Sequence, residues 1–376
     1  MVAYKIRLYP NASQRHAIHY NFGAVRYIYN RILALRIYIW KRWKKIVKMN
    51  RLINHIARIK SYQPWLADAD SQALQQAVRN METAFRRFFL KDKKGKKAGF
   101  PKFRSKHFPR QSFQYPQRVK ISENKKKLYL PKVGWVRARF SREVPGKIKT
   151  VTVSLHGGRY HAAVLTDAEF HVGTNNGHTL GIDVGTKFLV ADSNGLLVSA
   201  PSFDREVVKL RRRYQRLSRR VKGSKRYEKA KNSLARMSMK IADIRKDFLH
   251  KLSKTYSENQ TVVIEALEIK RMTASAKGDL ENPGKNVKWK TFLNRIILQA
   301  GWGMFFEFLG YKLDRNGGEL RRVTAAYTSQ TCSACGHVSK RNRRSRDRFE
   351  CERCGEKKHA DTNASEVIRD RGLKES

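Results

Sequence analysis

The stretch TLGIDVGTKFLVADSNGLLVSA, Thr179 to Ala200, puts a carboxylate inside an apolar strand. Its two apolar segments flank Asp192-Ser-Asn-Gly195, a hairpin turn signal. Asp183 lies in the first segment, where a buried carboxylate must be paired, hydrogen-bonded or bound to a metal. A second strand of this kind follows. TVVIEAL, Thr261 to Leu267, is a nearly continuous apolar run, as expected for a strand buried on both faces, and it carries Glu265 near its end. A third acid, Asp361, precedes TNASEVI, which reads as the first turn of a helix. Each acid alone has a plain reading. A lone buried Asp can be structural, and an Asp at a helix start is most simply a cap. An acid on a first strand, one on a later central strand and one on a late helix form a less ordinary set.

Composition narrows what such a set would act on. The chain has 376 residues, 40% of them hydrophobic, enough for two or three folding units. Eighty-one Lys plus Arg against 31 Asp plus Glu give a formal net charge of +50. Self-repulsion at that charge is costly unless a polyanion neutralises it. Nucleic acid, an anionic membrane surface or acidic proteins would serve. No apolar run approaches the roughly 20 residues of a spanning helix, and MVAYKIRLYP has no apolar segment of a secretory signal. A ribosomal or histone-like protein would share the charge but rarely so much hydrophobic sequence. Nucleic acid is the expected partner, with long or structured RNA on the same footing as duplex DNA. No membrane and no obligate protein partner is indicated.

All four cysteines lie in Cys332-Ser-Ala-Cys335 and Cys351-Glu-Arg-Cys354, so no disulfide framework remains and a reducing, cytoplasmic setting fits. Two CxxC pairs separated by 15 residues signal a zinc ribbon. Four thiolates close a tetrahedral shell, so the zinc is expected to be structural; an iron centre on four cysteines is the alternative. Lys340, Arg341, Arg343, Arg344, Arg346 and Arg348 crowd the loop between the pairs. They read either as a solvated face or, given the nearby Asp361, as a contact for nucleic acid.

Along the chain, AYKIRLYP alternates and stops at Pro10, which reads as a strand. Helical spacing follows in Phe22, Val25, Ile28, Tyr29, Ile32 and Leu35, and again from Leu74 to Phe88; Pro64 and the Asp68–Ser71 cluster separate the two, with Asp70 or Ser71 as a cap. Short alternating segments between Val119 and Asp167 read as a small β-barrel or sheet, which the N-terminal strand can join, making the helices an insertion. Phe203 to Asn259 reads as two basic helices broken at Lys222-Gly-Ser224, Thr291 to Leu309 as one helix, and ELRRV as a further strand.

The three acids have the layout of RNase H and RuvC nucleases, where carboxylates hold two divalent ions about 4 Å apart that activate a water and stabilise the departing 3′ oxygen. Mg²⁺ or Mn²⁺ would suit such hard oxygen ligands. Gly181 and Gly185 flank Asp183 and are expected to admit a nucleic-acid backbone closely, although a glycine near a strand end is often only a turn.

Over nearly its whole length the sequence resembles the TnpB proteins of bacterial insertion sequences, RNA-guided nucleases related to the type V CRISPR effectors. AYKIRLYP, GFPKFRSK, RQSFQYP, GIDVG, VIEAL, TSQTCSACG, and CERCG followed by HADTNASEVIRD carry the resemblance. It implies a multidomain α/β fold: a wedge-like β-barrel domain interrupted by a helical recognition domain, then an RNase H-like (RuvC) nuclease domain with an inserted zinc ribbon. On this sequence the boundaries fall at 1–10 and 106–172 for the wedge domain, 11–105 for the recognition domain, 173–326 and 358–376 for the nuclease, and 327–357 for the ribbon. It further implies Asp183, Glu265 and Asp361 as catalytic, Mg-binding acids. The cofactors and partners it implies are a structured guide RNA from the transposon end and double-stranded target DNA cut beside a short adjacent motif. Departures are small: Ala266 stands where many relatives carry a second acid, and a His, not an Arg, leads into Asp361.

Candidate nucleic-acid contacts are Phe100, Lys102, Phe103, Arg104, Phe113 and Tyr115, where aromatics stack on bases and cations hold phosphates; the alternative for the phenylalanines is core. Gln72 and Gln76 are candidates for reading the adjacent motif, since amides pair with adenine edges. Arg211, Arg212 and Arg216, and Arg343, Arg344 and Arg346, are candidates for the guide–target duplex or RNA scaffold and for the strand near the acids. Two other functions stay open: a repressor of the same fold that binds without cutting, for which intact acids are unnecessary, and a DDE-type transposase, which keeps three acids but needs no guide.

Overall fold

The structure is a computed structural model that describes residues 1–90, 98–108, 110–169, 173–279 and 281–374. Residues 91–97 of the expected basic loop, and the boundary expected at 172, lie outside the described residues. The chain forms two compact units, Met1–Phe170 with Arg220–Arg236, and His171–Arg219 with Met237–Ser376. Residues 220–236, which the sequence reading groups with the second unit, thus pack within the first. Among the described residues no helix is long and apolar enough to cross a membrane.

In the first unit, strand β1 (Val2–Tyr9) buries Ile6 and Leu8, as its alternation requires. Helix α1 (Ala12–Trp43) starts at a capping box: the Asn11 side chain accepts from the Gln14 N–H, and Gln14 returns the bond to the Asn11 N–H. Helix α2 (Met49–Tyr62) and helix α3 (Ser71–Phe89) follow, and Asp70 caps α3 by accepting from the Ala73 N–H at 2.8 Å. Leu74, Ala77, Val78, Met81 and Phe85 are the buried stripe of α3. Strands β2 (Arg110–Tyr115), β3 (Lys120–Ile121), β4 (Lys127–Leu130), β5 (Gly134–Arg139), β6 (Ile148–His156) and β7 (Arg159–Thr166) join β1 in one antiparallel sheet of order β2-β6-β7-β1-β5-β4-β3. The N-terminal strand therefore sits mid-sheet, and α1–α3 are inserted between the first two strands of that sheet. Phe113 and Tyr115 on β2 are core residues, which removes them as stacking candidates.

The second unit is built on β8 (Thr179–Asp183), β9 (Val190–Asp192), β10 (Leu197–Val198), β11 (Thr261–Glu265) and β12 (Glu319–Val323), in the order β10-β9-β8-β11-β12. Strands β8, β11 and β12 run parallel; β9 and β10 return antiparallel. Strand β11 is buried on both sides. Val262 and Ile264 join a core with Leu180, Ile182, Phe305 and Leu309, while Val263 turns to the opposite face with Ile368. Helices α4 (Asp204–Ser218) and α5 (Lys225–Tyr256) precede β11, and α6 (Ile269–Met272), α7 (Val287–Ala300) and α8 (Trp302–Arg315) follow it. The single helix expected over 291–309 is two, because Gly301 adopts φ +76° and ends α7 there. A small hairpin, β13 (Arg348–Glu350) and β14 (Lys357–His359), leads into helix α9 (Ala360–Lys374).

Helix α9 lies against β8 at backbone contact distance and close upon the Val263 side chain of β11, and two glycines permit it. A Cβ on Gly181 would stand 2.0 Å from the Ser365 carbonyl oxygen and 2.7 Å from the Arg369 nitrogen. A Cβ on Gly372 would stand 2.5 Å from both methyl carbons of Val263. The space beside Gly181 belongs to α9 and not to an approaching nucleic-acid backbone, which corrects the expectation for that residue; a Cβ on Gly185 would stand 2.9 Å from the Phe188 carbonyl oxygen, within its own turn.

Gly181→Ala must displace backbone on both sides, so a loss of about 2–3 kcal/mol or more is expected. Gly23→Ala, inside α1 with nothing within 4 Å of the added carbon, should instead gain about 0.5–1 kcal/mol. Thermal midpoints of the two full-length variants, moving in opposite directions, would check this.

Candidate active site

The parallel register of β8 and β11 pairs Ile182 with Ile264. The next residue on each strand is an acid, so Asp183 and Glu265 emerge together at the same carboxyl end. Asp361 enters from the first turn of α9, the helix packed over β8. The three acids act on one another. Burial, followed by the negative charges of Glu265 and then Asp361, pushes the Asp183 carboxyl up to about 7; Arg343 and the Val184 N–H pull the other way. Burial raises Glu265, opposed by a hydrogen bond from the Thr328 hydroxyl at 2.5 Å and by the charge of Arg371.

Arg343, from the loop between the cysteine pairs, donates to Asp361 Oδ1 at 3.0 Å and to the Arg346 carbonyl at 2.9 Å. Its guanidinium is therefore a partner of the acid cluster, not a surface cation as the charge run suggests. Arg346 donates to the Thr186 hydroxyl at 2.8 Å, Lys187 pairs with Asp347, and Arg344 lies 3.8 Å from Glu350. The ribbon loop is thus tied to the turn that follows Asp183. Thr328 and Arg371 were not singled out from the sequence. A threonine ahead of a cysteine knuckle and a basic residue late in a helix carry no signal until the fold brings them to Glu265.

The four cysteines form a compact cluster. Sγ of Cys332 is 3.7 Å from that of Cys354, Sγ of Cys335 is 3.6 Å from that of Cys351, and all four lie within 4.8 Å of one another. Thiolates about 2.3 Å from a tetrahedral Zn²⁺ stand about 3.8 Å apart, so the set fits a metal such as zinc. The two knuckles repeat one geometry. Gly336 and Gly355, at φ +74° and +75°, donate to the carbonyls of Cys332 and Cys351, and the N–H groups of Cys332 and Cys351 donate to the carbonyls of His337 and Glu356. A residue with a Cβ is strained at either glycine.

The other candidates are dispersed. Gln72 and Gln76 lie on α3, half-buried, and the Gln76 amide donates to Asn80 at 3.1 Å. Phe100 is exposed but packs edge-on to Phe85 and Phe88, while Lys102 and Phe103 are exposed. Arg104 is committed: its guanidinium stacks 3.8 Å above the Tyr29 ring, and its backbone exchanges hydrogen bonds with the Asn30 side chain. Arg211, Arg212 and Arg216 are exposed on α4, a helix with no buried residue.

Comparison with known proteins gives this architecture a family. The model described as "Probable transposase", the OrfB type of IS605 elements, matches residues 163–276. A helix-turn-helix domain model matches residues 1–45, which here are one strand and one unbroken helix, and a Cas12f1-like TNB domain model matches 302–368. The chain is 36% identical over 371 residues to a protein of Escherichia coli strain K12 provisionally named RNA-guided DNA endonuclease InsQ, covering 97% of this chain and 91% of that one. It is 30% identical to a similarly named protein of Streptomyces pristinaespiralis, covering 99% and 89%. A Cas12f1 chain solved by cryo-EM in a complex with single-guide RNA and target DNA superposes with a TM-score of 0.53 at 17% identity, over 95% of this chain and 83% of that one. A multidomain α/β protein with a carboxylate cluster beside a four-cysteine cluster is the class that fold and site define. The chain belongs to the TnpB-type, OrfB family of insertion-sequence proteins.

Because the folded Asp183 carboxyl titrates near 7 against an ordinary value of 3.8, folding of the metal-free protein carries a cost that is absent below about pH 4 and complete above pH 7. Asp183→Asn keeps the shape and removes the charge. Its gain in thermal midpoint over the unaltered protein, measured in chelator, is expected to grow as pH rises from 5 to 8; a gain that shrank over that range would contradict the arrangement.

Proposed function

We propose that the chain is an RNA-guided DNA endonuclease of a transposable element, cutting target DNA beside a short adjacent motif by two-metal hydrolysis at a RuvC-like site. The observation that carries this is the placement of Asp183, Glu265 and Asp361 at two parallel strand ends and one helix start, where burial and the charges of the other two acids push the Asp183 carboxyl up to about 7 and burial raises Glu265. The sheet supports it. In their order along the chain the five strands lie 3-2-1-4-5, with the first, fourth and fifth parallel, which favours an RNase H-like reading. The names given to the full-length relatives point the same way.

In this reading Asp183, Glu265 and Asp361 hold Mg²⁺ or Mn²⁺, for which carboxylate oxygens are preferred ligands. Such ions supply the charge that activates a water and stabilises a departing 3′ oxygen. The protein's own part is positional. Rigid strand ends fix two of the acids, α9 fixes the third, and Arg343 balances the cluster's charge from the ribbon side. The cysteine cluster holds a structural zinc, and residues 327–357 are the ribbon. Residues 173–219, 237–326 and 358–376 form the nuclease domain, 1–10 and 106–172 the wedge domain, and 11–105 the recognition domain, with 220–236 packed in the first unit. A guide RNA from the transposon end reads most of the target by base pairing, and protein side chains read only the short motif. Gln72 and Gln76 on α3 are candidates for that motif, and Arg211, Arg212 and Arg216 for the RNA.

Purification from cells carrying the element, with sequencing of the RNA that comes with the protein, tests the guide. The reconstituted complex with Mg²⁺ should cut a plasmid bearing the guide-matched sequence, and Asp183→Ala should bind that plasmid without cutting it. Cleavage by Asp183→Ala at the unaltered rate would sink the assignment, and tight binding without any cutting by the unaltered complex would leave a repressor. Cys351→Ser/Cys354→Ser should lose zinc and, with it, most cleavage, although zinc does no chemistry.

A further inference from the structure

We infer that Thr328 is a positioning residue for Glu265, and that through it the segment leading into the ribbon sets the affinity of the three-acid site for divalent cations. This rests on the nuclease reading of those acids. Thr328 is buried, and its hydroxyl has two acceptors in reach: Glu265 Oε1 at 2.5 Å and the Ala325 carbonyl at 3.2 Å. A hydroxyl has one proton to give, and the carboxylate, nearer and charged, takes it.

The threonine can hold a carboxylate still only if it is held itself, and the segment around it is stapled to α9 at both ends. At one end Arg371 donates to the carbonyls of Thr324 and Ala326 at 3.0 and 2.7 Å. At the other, the buried Asn363 donates to the Thr331 carbonyl at 2.7 Å and accepts from the Ser333 N–H at 3.0 Å. Between the staples Tyr327 takes a left-handed φ of 61°, and its carbonyl accepts from both Gln330 and Thr331. That turn adjoins Thr328, which lies four residues before Cys332. Residues 324–333 are therefore a strut fixed along α9, the helix that also carries Asp361, and Thr328 is the side chain it aims at β11. The strut ties Glu265 to the same body as Asp361. Partners that orient a metal-binding carboxylate typically change metal affinity by about 10–100-fold when removed.

The experiment is a titration of zinc-loaded, full-length protein with Mn²⁺ alone, following free Mn²⁺ by its electron paramagnetic resonance signal. Thr328→Val keeps the shape and loses the hydroxyl; Thr328→Ser keeps the hydroxyl. We expect Val to weaken Mn²⁺ binding by about tenfold or more and Ser to restore it, with circular dichroism unchanged. Should the Val variant fail to fold, Thr328→Ala against Thr328→Ser makes the same comparison. Mn²⁺ binding by the hydroxyl-free variant equal to that of the unaltered protein, or a Ser variant as weak as it, would overturn the inference while leaving the nuclease reading standing. If Asp183→Ala binds Mn²⁺ as tightly as the unaltered protein, the nuclease reading fails and the inference goes with it.

Discussion

The second unit depends on one packing contact, the seating of α9 directly on the backbone of β8 and on the Val263 side chain of β11. Strand glycines usually weaken a sheet, because they cost entropy and offer no side chain to pack. Here Gly181 sits two residues before Asp183, and its missing Cβ is the space that the backbone of Ser365 and Arg369 occupies. Gly372 does the same from the helix side, against Val263. A helix held at side-chain distance would sit further out, and its first turn would carry Asp361 away with it. The closeness of the third acid to the other two is thus a consequence of backbone contact, not of any attraction between the acids, which repel.

That repulsion explains the rest of the site. Burial and the negative charges of Glu265 and Asp361 raise the cost of ionising Asp183. The surroundings supply partial compensation in graded form: a neutral donor from Thr328 to Glu265, a guanidinium from Arg343 to Asp361, and the more distant charge of Arg371. Two of these three come from the segment between β12 and α9, the same segment that forms the cysteine cluster. A motif that looks in sequence like a separate metal knuckle is therefore part of the acid site's charge balance.

Much of this was legible in the sequence, and the reason is physical. An acid in an apolar run is conspicuous because ionised groups are seldom placed there without a partner, so Asp183 could be read inside one strand and Glu265 near the end of another before any fold was known. Cysteine spacing is equally direct, since chelation geometry limits it. What escaped the sequence depended on long-range contact. The break at Gly301 lies in continuous helical spacing. The burial of Phe113 and Tyr115 follows from which face of β2 meets α1 and α3, and period-2 alternation does not say which face is covered. Arg104 looks like a phosphate contact until Tyr29, far back along the chain, is found beneath it. Arginine runs are the least legible of all. Arg343 and Arg344 are neighbours of identical chemistry, yet one meets Asp361 and the other lies near a glutamate on the hairpin.

The ribbon's position then has a mechanical reading. Its two knuckles are copies of one backbone geometry. Ties that leave them run to α9 and toward the acids: Ser333 to Asn363 and Lys358 to Glu366 on α9, Arg343 to Asp361, and Arg346 and Asp347 to the turn after Asp183. A module that served only to bind nucleic acid would not need its polar groups spent inward in this way. The arrangement is that of a splint. The four-cysteine element is bonded to α9 and Asp361 on one side and to the turn after Asp183 on the other, and so spans both sides of a cluster of like charges.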